Sequence, residues 1–582
     1  MKKILIIGFA IIMIGIAGFL MLRQRITNDV LVLHDDLVTT QTVSFAVGHD
    51  FKFSALYDPF AEFDPQLYHT VQKVRLDSAL TQEYLVWVDV KNIVIGDQKA
   101  SQLLDITVLC DDKPLFEHCL LSANQDQTLS ITIDFQTYQL DEHWFDIEQH
   151  GLRFELMFTL YPKDTLTQTL QTAYQSSEDL LRVYTEFGHD PSREMIINYH
   201  ANHGPLGVIE YRELGTNIWQ ESLSESFVFP FKEERIYRTR LQNLTPDTTY
   251  EFQINDAHKT YRFKTMPLHL DREIKIVFTG DSRSFNDWFY DLNDVIYNQQ
   301  PDLVVGTGDY VACEGILSAF NSNLWVHFLD ALNDAWIDDD GLIIPFMPGF
   351  GNHEADSGWS GSLYRDKAYL PLLFSFPNQA DYPREASGFG YIQFGDYFTL
   401  ILLDSYHTND IEPQTTWLLD MQSVFQETTH IVPVYHSAVF PSRKPFNVSY
   451  KNAIRHQWLP IFQELGVRVV MESCDHTYKK TFPIWFDDAN PDGVIHPDGM
   501  IFLGDGGWGA PLRTVLLENE GQFDYDRISD THWWIEDAAG LDHNIDNSKH
   551  IHMVTLRTHS IFIESINFLG TVFDAFEMDL ND

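Results

Sequence analysis

Between residues 276 and 476 the chain carries five short polar clusters, each directly after a run of apolar, strand-forming residues. Ile276-Val-Phe-Thr-Gly leads into Asp281-Ser-Arg283, and Leu303-Val-Val-Gly-Thr-Gly leads into Asp309. Residues 348–351 lead into Asn352-His353-Glu354, residues 432–435 into His436, and residues 469–473 into Cys474-Asp-His476. Carboxylate, imidazole and thiol groups are the protein's ligands for divalent cations. Arginine cannot bind a cation, but its planar fork grips a phosphate at two points. Together these clusters of metal-compatible side chains point to a metal centre. An open α/β sheet gathers its loops at strand ends, so clusters at successive ends predict one shared crevice.

Taken singly, each residue has a plainer reading. Asp281 and Asp309 could cap helices that follow their strands. His436 could be a satisfied core histidine, the Gly351-Asn-His stretch a turn, and Arg283 half of a surface ion pair. Their fixed order at strand ends favours the joint reading.

The elements that must position them are legible as texture. From residue 274 onward, apolar runs alternate with amphipathic stretches, which predicts an α/β arrangement. Strands are expected at 274–279, 303–306, 343–348, 398–403, 430–435, 467–471 and 500–503, and helices at 317–332, 415–425 and 453–465. Upstream, residues 27–180 read as mostly β, with period-two runs such as Tyr84-Leu-Val-Trp-Val-Asp-Val and Leu129-Ser-Ile-Thr-Ile-Asp-Phe. Residues 165–182 are more polar and read as a helical link. Residues 190–267 show a second set of short strands, ending in Leu244-Thr-Pro-Asp-Thr-Thr-Tyr250. That stretch resembles the corner of a fibronectin type III sandwich, where a tyrosine hydroxyl returns to upstream backbone.

Composition narrows the setting. The chain has 582 residues, 44% of them hydrophobic and 14% aromatic, enough for several cores. A formal charge of −45, with no basic block, argues against nucleic acid as a partner and for solubility. Lys2 and Lys3 precede an unbroken apolar run over residues 4–22, closed by Arg23-Gln24-Arg25. That length approaches the ~20 residues a membrane-spanning helix needs. We therefore expect a signal anchor over residues 1–26, with the bulk of the chain extracytoplasmic. Secretion after signal cleavage is the alternative. The chain has four cysteines, too few for a disulfide framework; Cys110 and Cys119 flank a turn and suit either a bridge or two buried thiols.

The ordered clusters resemble the calcineurin-like metallophosphoesterase superfamily: a first Asp, a Gly-Asp, a Gly-Asn-His-Glu, a lone His and a late Gly-His-x-His-like motif. The sandwich ahead of them makes the closest likeness that to purple acid phosphatase-like proteins. The resemblance implies a multidomain chain with a four-layer α/β metallophosphoesterase sandwich over residues 269–582. Before it would come two all-β sandwich domains, at 27–185 and 186–268, and the N-terminal transmembrane helix. It implies hydrolysis of a phosphate-ester substrate by two divalent metal ions, drawn from Zn, Fe or Mn. Asp309 would bridge them. Asp281 and His476 would complete one metal position; Asn352, His436 and Cys474 would complete the other. His353 matches the family's catalytic histidine, and Arg283 stands where many relatives place a ligand histidine. Trp359, Trp508 and Tyr310 fall near the same crevice and suit packing as well as substrate contact.

Two departures qualify the likeness. Purple acid phosphatases carry a tyrosine three residues after the bridging aspartate, where this chain has Ala312, so a purple iron centre is not expected. The Gly-His-x-His motif reads Ser473-Cys474-Asp475-His476. Cys474 could be a thiolate ligand favouring zinc, a disulfide partner of Cys313, or the mark of a weakened site. A binding protein that keeps the fold without the chemistry is the alternative function.

Overall fold

In the computed structural model of the chain, the described residues are strands between 30 and 162 and most of 180–580. The second stretch excludes 203–206, 230–231, 255–258, 284–285, 313–318, 356–368, 376–387, 442–443, 488, 505, 512–531 and 534–548. The expected anchor over residues 1–26, Cys119, Cys313, Trp359 and the expected helical link at 165–179 lie outside them. Residues 180–182 open a strand instead of closing a helix, because Leu180–Phe187 pairs along its length with Met195–Ala201. Among the described residues no helix is long and apolar enough to cross a membrane.

The chain falls into two units, Met1–Ala173 and Tyr174–Asp582. The first is all β. Its period-two runs become the strands Glu83–Ile95 and Gln127–Asp134, and they lie in separate five-stranded sheets. Alternation leaves one side of each strand apolar, and Leu33, Val74, Leu76, Val86 and Leu121 are buried.

The second unit opens with seven strands between Leu180 and Lys264. The strand Gln220–Val228 serves two partners: residues 220–224 pair with 207–211, and residues 225–228 pair with 235–238. The expected tyrosine corner is present, with the Thr245 N–H donating to the Tyr250 hydroxyl at 2.8 Å. This β region docks on the rest of the unit through polar contacts as well as apolar ones. Arg182 donates to Asp330 at 2.7 Å, and Tyr184 donates to the Leu373 carbonyl at 2.7 Å.

Beyond residue 274 two sheets carry the fold. One runs Phe346–Pro348, Leu303–Gly306, Ile274–Thr279, His550–Arg557, Ser560–Asn567, Val572–Asp579. The other runs Gly390–Phe394, Phe398–Leu402, His430–Ser437, Val469–Ser473, Ile501–Gly504, Lys479–Thr481, His532–Trp533. Alternation in the second sheet assigns its two faces. Leu400, Leu402, Val432, Val434, Val469, Met471 and Leu503 share a core with Ile276, Val305 and Val554 of the first sheet. Ile401, Ile431, Val470 and Phe502 point the other way, into a core with Trp417, Leu418, Trp458 and Phe462 of the helices Ile411–Phe425 and Ser449–Glu464. Strands buried on both faces read as near-continuous apolar runs, which is why they stand out in the sequence.

Two features were not foreseen. The helix Asp287–Gln299 is capped by Asn286, whose side chain accepts from the Phe289 N–H at 3.1 Å. Its buried face (Phe289, Leu292, Val295, Ile296) is broken by Asn293, which blurs its periodicity. The C-terminal hairpins also join the first sheet, where His550–Arg557 lies antiparallel to Ile274–Thr279.

Candidate metal centre

The predicted clusters sit at or just beyond strand ends, with His436 the penultimate residue of His430–Ser437. Asp281, Asp309, Cys474 and His476 all have positive φ, between 57° and 82°. Aspartate tolerates this region better than most residues, whereas a cysteine there is uncommon. The turns are packed backbone to backbone. A Cβ added at Gly308 would lie 2.4 Å from the Gly351 N, and one at Gly351 would lie 2.4 Å from the Asp309 N. Both glycines are therefore required for the Gly-Asp and Gly-Asn-His loops to touch.

Glu354 ties those loops together. One carboxylate oxygen accepts from the N–H groups of Asp309 at 2.7 Å and Gly351 at 2.9 Å, and the other accepts from Tyr310 at 2.8 Å. Burial, with the nearby Asp309 charge, pushes its carboxyl up to about 8. Asp309 Oδ1 accepts the backbone N–H of His353 at 2.9 Å, which leaves Oδ2 facing the crevice.

From there the side chains converge. Asp309 Oδ2 lies 3.3 Å from His436 Nε2, 3.7 Å from Arg283 Nε and 3.8 Å from His353 Nε2. His476 Nε2 lies 2.8 Å from Asp281 Oδ1 and 2.6 Å from Arg283 Nη2. Arg283 Nη1 also contacts His353 Nε2. Cys474 Sγ lies 3.7 Å from Asn352 Oδ1 and receives a hydrogen bond from Lys444 Nζ. All eight predicted residues thus fall in one place. Cys474 carries no disulfide, so the bridge to Cys313 considered above is not formed. Lys479 holds buried Glu472 as an ion pair just behind the strand end.

Two imidazoles are set as ligands by their far nitrogens. His436 Nδ1 donates to the Thr307 carbonyl at 2.9 Å, and His476 Nδ1 donates to the Pro511 carbonyl at 3.1 Å. A carbonyl only accepts, so each Nδ1 carries a proton and each Nε2 is the nitrogen turned toward the crevice. Asp281 is oriented similarly. Its Oδ2 accepts from Ser473 Oγ at 2.6 Å and the Cys474 N–H at 2.9 Å, and Oδ1 is left toward the crevice. Asp281 Oδ1 and His436 Nε2 are both buried and face the crevice, the first 2.8 Å from His476 Nε2 and the second 3.3 Å from Asp309 Oδ2.

This is a donor set that fits a cation. Single ligand atoms of Asp281, Asp309 and His436 all lie within 4.8 Å of one another, and all three residues are buried. Burial alone would raise both aspartates, yet the charges of His476 and His436 at Asp281, and of His436 and His353 at Asp309, hold them below the usual carboxylate range. Burial would lower His436, but Asp309, Cys474 and Asp281 raise it well above its ordinary value. Two buried carboxylates this close demand positive charge between them. Burial also raises the Cys474 thiol, but Lys444 and His436 outweigh it and bring the group down to about 7.

Access to the crevice is uneven. The Arg283 and His353 side chains are 16% and 23% exposed, whereas those of Asp281, Asp309, His436 and His476 are 2% or less. Of these six, Arg283 and His353 are the ones exposed enough to meet a large anion directly. Tyr310 and Trp508 do not: both are fully buried and belong to an aromatic cluster with Phe328, Trp336 and Phe346. Lys444 and Glu354 were not among the predicted site residues. Glu354 had a signal, lying three residues after Gly351 in the motif itself. Lys444 stands in a loop with no spacing cue.

Comparisons with known proteins cover the β region and part of the sheets that carry this site. Residues 180–265 match the purple acid phosphatase N-terminal domain, and residues 253–466 match the calcineurin-like phosphoesterase family. Among curated proteins, two uncharacterized Mycobacterium tuberculosis proteins, MT2654 and Rv2577, are each 23% identical over 383 residues, 58% of this chain and 71% of theirs. Among solved structures, the purple acid phosphatase PPD1 from yellow lupin (Lupinus luteus) seeds aligns with a TM-score of 0.53 at 14% identity. That alignment covers 69% of this chain and 74% of the lupin chain, and it bears on the fold alone. Residues 253–466 thus carry a match to the calcineurin-like phosphoesterases, directly behind a match to the purple acid phosphatase N-terminal domain.

Proposed function

We propose that this protein hydrolyses phosphate esters at a metal centre built on Asp281, Asp309 and His436, with His476 beside it. The observation that carries the reading is the meeting of two buried carboxylates and an inward-facing imidazole within 4.8 Å, taken from three separate strand ends. The chemistry a divalent ion supplies in such a place is Lewis acidity toward a phosphoryl oxygen and toward water.

The chain's own residues do the rest. Arg283, with its guanidinium between His353 and His476, takes the non-bridging phosphate oxygens in a two-point grip. His353, anchored through its N–H on Asp309 and partly exposed, reaches the leaving oxygen and delivers a proton to it. Asp281 and Asp309 compensate the positive charge of the centre, and the carbonyls of Thr307 and Pro511 keep His436 and His476 in the binding tautomer.

The family resemblance implies a second ion, for which Asn352, His436 and Cys474 are the available donors. The apolar run over residues 4–22 supports an extracytoplasmic placement tethered to a membrane. The test is direct. Purified full-length protein should hold tightly bound divalent metal by elemental analysis and cleave p-nitrophenyl phosphate or its bis ester. A protein that holds metal yet leaves every phosphate ester intact would defeat the reading.

A further inference from the structure

We propose that the ammonium of Lys444, paired with Cys474, takes the place of the second metal cation, so that the centre holds a single ion. The inference rests on the metal-dependent reading above and concerns only the number of ions.

The three donors available for a second ion are Asn352, His436 and Cys474. They do meet: Cys474 Sγ lies 3.7 Å from Asn352 Oδ1 and also contacts His436. Yet a cation already faces that sulfur. Lys444 Nζ donates to Cys474 Sγ at 2.5 Å. Among the described residues, the buried carboxylate and imidazole atoms of Asp281, Asp309 and His436 converge within 4.8 Å of one another. A divalent ion on Cys474 would have to sit beside the lysine ammonium. Like charges at that distance in a buried site repel strongly.

The substitution also makes chemical sense as a pair. An imidazole at position 474 would offer a neutral lone pair to a metal. A thiol or thiolate instead makes a short, charge-assisted contact with an ammonium. Arg283 adds a further fixed positive charge on the other side of Asp309, at 3.7 Å. The crevice therefore presents one cation site flanked by two permanent cations. This provides the positive field that a transferred phosphate needs without a second ion.

The test counts ions and looks for sulfur ligation, neither of which needs turnover. Full-length protein is stripped with a chelator and titrated with Co²⁺. One equivalent should bind, with no thiolate-to-cobalt charge-transfer absorption. Lys444→Met, which removes the charge at similar volume, should take up a second equivalent and show that absorption; adding Cys474→Ser should remove both. Two equivalents in the unmodified protein, or a charge-transfer band in it that Cys474→Ser abolishes, would overturn the proposal while leaving metal-dependent hydrolysis intact. No bound ion at all would sink the metal-dependent reading itself. Should Lys444→Met fail to fold, the unmodified protein and Cys474→Ser alone decide the matter.

Discussion

The carboxylate of Glu354 accepts the backbone N–H of Asp309 at 2.7 Å while Asp309 Oδ1 accepts the N–H of His353 at 2.9 Å, so two loops lock each other's backbone. Glu354 is 2% exposed and also holds the N–H groups of Tyr310 and Gly351. Glu354→Ala would leave three buried donors unpaired, at about 1–3 kcal/mol each. We expect a loss of at least roughly 3 kcal/mol in urea unfolding and weaker metal binding by calorimetry. Unchanged stability would mean that water replaces the carboxylate without cost.

Asp309 is the carboxylate nearest both His436 and Arg283. Asp309→Asn keeps the shape but removes the charge that pairs with the cation. Metal affinity and turnover should fall by more than the roughly 10–100-fold typical of losing an outer-shell partner. Elemental analysis after dialysis reads the first effect and p-nitrophenyl phosphate hydrolysis the second. Chelation of the unmodified protein should mimic the variant and be reversed by added metal.

Arg283 has no equal in lysine. Arg283→Lys retains one charge but loses the planar fork, so kcat/KM should drop about 10–100-fold, the worth of one or two charge-assisted hydrogen bonds. Metal content should stay the same. A variant that loses its metal would instead mark Arg283 as a support for His476, which it contacts at 2.6 Å.

Acid should weaken the second unit. Burial lowers His200 and His430 to about 4, from an ordinary value of 6.5. Their folded-state values are depressed, so the unfolded chain binds protons first. Stability is full above about pH 6.5 and is lost as pH falls toward 4, by up to about 3 kcal/mol per group. His430→Gln should flatten that part of the profile in urea unfolding followed at stepped pH.

Tyr250→Phe removes the corner bond to the Thr245 N–H. It should cost about 1 kcal/mol and leave hydrolysis untouched. A large loss of activity would show that the β domain shapes the crevice.

Much of this architecture is legible in the residues because buried parallel strands are apolar throughout. Ile274–Thr279 and Leu303–Gly306 carry the expected bounds, and the clusters follow them directly. The strand expected over 343–348 shrinks to Phe346–Pro348, since Pro345 interrupts the run and Ile343 bridges to Ile337 instead. The helix Asp287–Gln299 and the C-terminal hairpins were missed. A short helix with a mixed face, and strands joined to a distant partner, give weak local signals.

Residue type and order, by themselves, determined which side chains stand at strand ends and that their chemistry suits cations and phosphate. Distances between those ends are set by sheet order and loop packing, which no local pattern encodes. Only the tertiary structure decided that Asp281, Asp309 and His436 share one small volume, and that a lysine from an unmarked loop reaches Cys474. The physical reason is that a charge is felt through space: position 444 matters because folding carries its ammonium to a sulfur 30 residues away.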